Sequence, residues 1–126
     1  EVTMGWTVLI GVFLIAHGLI HVAVYAPPAT DDAPFDPVRS WMFRRRLRSL
    51  ALTLAAITAL IFVIAGIGVL AHQDWWQAAS VAGASASLVL LALFFHPWLS
   101  IGVAINVAII WALTQTDWPT SDMLGW

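Results

Sequence analysis

The chain has 126 residues, 61% of them hydrophobic and 10% charged, with eight Trp, no Cys and a formal net charge of −2. That composition excludes an ordinary soluble domain, whose outside needs polar residues at helical or alternating spacing. Zero Cys excludes disulfides and thiol chemistry, and the small net charge gives nucleic acid no footing.

Apart from Arg48, at the start of the second, the charged residues fall outside four long apolar runs. Each run has about the 20 residues a helix needs to cross the ~30 Å hydrocarbon layer. The first, Met4 to Tyr25, is too long and too polar at its middle for a signal peptide, so it is expected to be a mature spanning helix, with Met4 a candidate start. Gly11 and Gly18, a heptad apart, fit close helix packing.

The loop over residues 26–46 carries Pro27, Pro28, Pro34 and Pro37 and the pair Asp31-Asp32, so it cannot be a continuous helix and stays in water. From Pro37 to Leu50 the chain sets Trp41, Met42 and Phe43 beside Arg44, Arg45, Arg46 and Arg48, the pattern of a helix entering through the headgroup layer. Those Arg either anchor topology on anionic lipid headgroups or line a pocket for a phosphate-bearing lipid or substrate. Positive charge beside a spanning helix is retained on the cytoplasmic side. This Arg-rich loop is therefore expected to be cytoplasmic and both termini extracytoplasmic, in the cell (inner or plasma) membrane.

The remaining runs are Leu47 to Leu70, Trp76 to Phe95 and Trp98 to Gln115. Open strand edges in lipid would leave backbone groups unsatisfied, so the fold class is all-α: one four-transmembrane-helix bundle over residues 1–126. The second run offers Ala51, Ala55 and Ala59 on one face, and the third offers two small-residue rows, Ala79, Gly83, Ser87 and Ala78, Ala82, Ala86. That third helix belongs at the bundle centre or at a contact with another chain, in a homo-oligomer or a larger membrane complex. The third and fourth helices join through a tight turn at Phe95-His96-Pro97-Trp98, where Pro97 suits a first helical position. Trp75, Trp76, Trp111 and Trp118 fit an outer aromatic belt, and Trp41 and Trp98 an inner one.

The ionisable side chains within the spans are His17 and His21, four residues apart and so on one helix face. Intramembrane ionisable groups are functional candidates because they are expensive to bury. With His96 at the cytoplasmic turn, three of the four His converge on one leaflet, while His72 is expected to be solvated. Four readings stay open for His17, His21 and His96. Neutral imidazoles can be interhelical glue. With Asp31, Asp32 or Asp36 they can bind a transition metal such as Zn, Ni, Cu or Fe. A b-type haem needs two His at one depth, whereas His17 lies roughly two turns deeper than His96. A quinone or lipid headgroup can sit on His17 or His21 with Arg support. Asn106, midway along the fourth run and four residues after Gly102, is either helix-to-helix glue or a ligand contact. No carboxylate occupies a span, which disfavours a carboxylate-driven carrier, and no nucleotide-binding, nucleophile-elbow or metalloprotease motif occurs.

The stretch Gly11 to His21, GVFLIAHGLIH, resembles the first helix of the small four-helix DoxX-like membrane proteins, which carries a His-Gly pair where this chain has His17-Gly18. It differs from them at His21 and in the Arg-rich first loop. The resemblance implies a small subunit associated with membrane redox or quinone chemistry. Together these readings predict a His-lined ligand site near the cytoplasmic surface. The competing expectation is a non-catalytic interaction or assembly subunit.

Overall fold

Pro27 and Pro28 cannot donate the backbone hydrogen bonds a helix interior requires, and the first helix, α1 (Val2–Tyr25), stops just before them. The computed structural model describes residues 2–28 and 30–126; Glu1, one of the charged residues noted above, lies outside them. A two-stranded antiparallel hairpin follows, β1 (Arg39–Ser40) paired with β2 (Arg45–Arg46). The next helices are α2 (Arg48–Leu70), α3 (Trp76–Leu93), a single 3-10 turn (Pro97–Leu99) leading into α4 (Ser100–Gln115), and a short α5 (Ser121–Leu124). Gly5–Tyr25, Arg48–Leu70, Trp76–Leu93 and Pro97–Gln115 are each long and apolar enough to cross a membrane.

Neither Gly nor Pro ends α2. Instead the amide of Gln73 donates to Gly68 O at 2.8 Å and that of His72 to Val69 O at 3.2 Å, with His72 in the left-handed region at φ 56°. This Schellman closure lets the chain turn straight into α3. At the other end of the bundle Pro97 holds the first position of the 3-10 turn, and His96 caps it by accepting from the Trp98 amide at 3.2 Å.

The helices pack in sequence, α1 on α2, α2 on α3 and α3 on α4, while α5 folds back onto α1. Small residues set how closely they approach. A Cβ at Gly18 would lie 2.6 Å from Phe62 Cβ and 3.0 Å from Ala59 O, so α1 and α2 meet there nearly backbone to backbone. Ala51, Ala55 and Ala59 are all buried, as their common face predicts. On α3, Gly83 and Ser87 face inward, but Ala78 and Ala82 are exposed. The core runs through Leu14, Phe62, Val69 and Trp76 at the tail end and Tyr25, Leu90 and Phe94 at the loop end. Trp76 is therefore a core residue and not a belt residue, because it starts α3 under the α2 turn, against Gly68.

The Arg-rich segment also departs from expectation. It is a hairpin rather than a helix, and α2 begins only at Arg48. The reason lies in the last carbonyls of α3, which have no helical partner. Ser40 Oγ donates to Leu93 O at 2.7 Å and Trp41 Nε1 to Ala92 O at 2.6 Å, contacts the hairpin supplies to a neighbouring element. Arg48 donates to Ala26 O at 2.8 Å, setting a cation at the C-terminal end of α1. The loop is thereby tied to two helix ends, with Trp41, Met42 and Phe43 exposed at its tip.

Candidate functional site

Residues four apart on a helix share a face, and His17, His21 and Tyr25 form such a row along the loop-end half of α1. All three are buried. The ring nitrogens of the two His meet polar atoms of α3 and α4. His17 Nε2 lies 2.9 Å from Asn106 Oδ1, Asn106 Nδ2 donates to Ser87 Oγ at 2.7 Å, and His21 Nε2 lies 2.6 Å from Ser87 Oγ. Aromatic rings close the site sideways: Phe13 stacks on His17 at 5.7 Å, and Phe62 packs edge-on against His17 at 4.8 Å.

The direction of each bond follows from one fixed end. His21 Nδ1 faces two backbone carbonyls, His17 O at 2.8 Å and Gly18 O at 3.2 Å, so it carries the proton. No carboxylate lies within the spans to balance a charged imidazole, so the ring is neutral and its Nε2 is an acceptor. Ser87 must then donate to His21 and accept from the Asn106 amide. The Asn106 carbonyl is left facing His17, whose Nε2 therefore carries its proton. The chain runs one way through three helices, and His17 Nδ1 remains an acceptor with no hydrogen-bond partner among the described residues.

α4 packs on α3 but stands off from α1, and the cleft between them holds two chambers either side of the His17–Asn106 bond. Toward the tail end, a chamber of about 230 Å³ is walled by apolar and aromatic side chains, including Phe13, Leu14 and Ile109. Toward the loop end, a chamber of about 180 Å³ is lined by His17, His21, Tyr25, Trp98, Ile101 and Gly102, among others. No Asp, Glu, Lys or Arg lines this second chamber. Tyr25 is 1% exposed, and its hydroxyl has no hydrogen-bond partner among the described residues.

His96 does not join this site. It stacks on Phe35 at 4.2 Å and lines a separate surface depression with Asp36, Arg39 and Trp41. Among the described residues no three His, Asp or Glu side chains come together as a metal-binding set, so the expected convergence of His17, His21 and His96 with Asp31, Asp32 or Asp36 is corrected. A haem fits no better, since three of the four ring nitrogens of His17 and His21 are engaged by Asn106, Ser87 and backbone carbonyls. The Arg residues divide by role. Arg46 pairs with Asp36 at 2.7 Å and Arg48 binds the end of α1, while Arg44 and Arg45 have no side-chain partner among the described residues. None of the Arg lines the cleft, so the expected Arg support for a ligand on the His pair is absent. Tyr25 is the site residue the sequence reading missed. Its signal was the continuation of the His17, His21 row by another four residues.

In comparison with known families, residues 6–117 match the family described as Domain of unknown function (DUF7144), a span that takes in all of α2, α3 and α4 and nearly all of α1. That match carries no link to the DoxX-like proteins. No curated protein and no solved structure matches the chain.

Proposed function

The chain belongs to the DUF7144 family, and we propose that it is an integral membrane protein that binds an amphiphilic ligand, of the quinone or lipid-headgroup class, in the cleft between α1 and α4. One observation carries this reading: His17, His21 and Tyr25, within the spans, wall a cleft between α1 and α4, which meet less closely than the other neighbouring helices. Sites for whole drug-sized molecules run to about 300–1,000 Å³. A chamber of about 180 Å³ is smaller, and suits the polar end of a molecule whose tail continues along the groove or into lipid. The likeness of Gly11 to His21 to the DoxX-like proteins fits a redox-associated setting. The Arg-rich loop is taken as cytoplasmic, with Arg44 and Arg45 free for anionic headgroups and both termini outside. Single cysteines introduced as Arg45→Cys and Ser121→Cys, in a chain with no native Cys, read this directly. An impermeant thiol reagent outside intact cells should label the second and not the first, and the opposite pattern would invert the topology.

Native mass spectrometry of the protein released in mild detergent tests the binding reading. Wild type should carry one added small-molecule mass per chain. Gly102→Leu should lose it with the fold intact, because a Cβ there makes only an ordinary 3.5 Å contact to Leu91 and the larger side chain grows into the cleft. A bare wild-type mass would overturn the reading in favour of an interaction subunit. The exposed small residues Ala78 and Ala82 of α3 favour that second reading, since they would let another helix approach closely.

A further inference from the structure

The hairpin between β1 and β2 ends on a tip that takes no part in the cleft. Its depth is set by α3: Ser40 Oγ donates to Leu93 O and Trp41 Nε1 to Ala92 O, and Leu93 closes a helix long and apolar enough to cross a membrane. For an embedded bundle, whatever the cleft holds, the tip therefore lies where hydrocarbon meets headgroups. Trp41, Met42 and Phe43 are 61%, 51% and 54% exposed there. Three consecutive large apolar side chains would be a liability in water, whereas at that depth they rest against the ends of acyl chains.

Arg44 and Arg45 follow at once, and both are exposed. Asp36 pairs with Arg46, so neither of these two guanidiniums meets a carboxylate among the described residues. The turn is strained at Arg44, whose backbone is left-handed at φ 57°, a conformation that glycine adopts freely and a residue with a Cβ does not. Two bonds hold it there: Arg39 donates to Arg44 O, and the Phe43 amide to Ser40 Oγ, each at 3.3 Å. A position where glycine would fold more easily thus carries a cation, beside apolar side chains at the membrane boundary. Adjacent guanidiniums present several donors to a phosphate, and their uncancelled charge favours a lipid of net negative charge over a zwitterionic one. We propose that the hairpin tip is a binding site for one anionic phospholipid, with Arg44 and Arg45 taking its phosphate and Trp41, Met42 and Phe43 lying along its acyl chains.

The test titrates the full chain in mild detergent with phosphatidylglycerol, or with phosphatidylcholine of the same acyl chains, and counts bound lipid by native mass spectrometry as mass gained over the chain as purified. Wild type should prefer the first phosphatidylglycerol by about fivefold or more, since each Arg near a charged lipid surface is worth about that factor. Arg45→Gln should cut phosphatidylglycerol affinity about fivefold and leave phosphatidylcholine unchanged. Arg44→Gly should cut it as far while the thermal midpoint stays level or rises, because the left-handed backbone is relieved. Arg48→Gln, whose cation sits on the end of α1, and Gly102→Leu, which fills the cleft, should both keep the preference. No preference in wild type, or one unchanged in Arg45→Gln, would overturn the site while leaving the cleft reading standing. An equal loss in Arg48→Gln would make the attraction diffuse, and a loss in Gly102→Leu would move the lipid to the cleft; either would also overturn it. A lowered midpoint in Arg44→Gly would contradict the role given to that side chain.

Discussion

Asn106 is the buried side chain of α4, and it is polar. Both ends of its amide are used, one on His17 and one on Ser87. Removing it leaves buried groups unpaired on two other helices, whereas a helix-to-helix hydrogen bond in lipid is by itself worth only about 0.5–2 kcal/mol. The larger effect is the orphaning of His17 and Ser87. Asn106→Leu, which keeps the volume, should therefore destabilise the bundle by about 1–3 kcal/mol in a denaturant titration in detergent; no change would mean that the amide does not bridge the helices. The pair His17 and His21 was legible from spacing alone, and Asn106 was legible as a buried polar side chain with helix-to-helix glue and ligand contact both open. The partner choice was not. It depends on the depth at which α4 sits against α1, and that depth is set by the 3-10 turn and the hairpin docked on α3, which are contacts distant in sequence.

The four long helices were legible as elements because hydropathy over a span-length window reflects what the bilayer demands of a backbone. Helix boundaries fall within two residues of the expected runs, the start of α4 being set back by the 3-10 turn that precedes it. The hairpin was not legible, since Trp, Met and Phe beside Arg is the composition of an interfacial helix as well. What decides between them is the pair of orphan carbonyls at the end of α3, some 50 residues away in sequence. Glycine positions carry the clearest consequence for element packing. Gly18→Ala would drive a Cβ to 2.6 Å from Phe62 Cβ, and both helices would have to part. It should destabilise the bundle by about 1–3 kcal/mol, as overpacking does. Gly5→Ala, with nothing within 4 Å, should instead gain up to about 1 kcal/mol of helix propensity. Equal effects of the two in thermal unfolding would contradict the close approach of α1 and α2.

For the molecule as a whole, three of the four long helices are joined by a single hydrogen-bonded chain, and the clefts between α1 and α4 open on either side of it. A bundle built only for stability gains by closing such a gap, because the walls of a cleft forgo packing contacts. Tyr25 lines the same gap, with its hydroxyl buried behind it and without a partner among the described residues. The hairpin and the C-terminal tail close the two ends of the bundle, with Thr7 Oγ1 donating to Leu124 O at 2.9 Å and Trp6 meeting Trp118 edge-on at 6.1 Å. The side between α1 and α4 stays accessible, and for an embedded bundle that side faces lipid.

The central claim is that the chain His21–Ser87–Asn106–His17 is neutral and runs in one direction. Nitrogen-15 spectroscopy of histidine-labelled protein in bilayers tests it most directly, with His17→Asn and His21→Asn spectra used to assign the signals. The account predicts a proton on Nδ1 of His21 and on Nε2 of His17. A His17 ring protonated on Nδ1, or on both nitrogens, would contradict it.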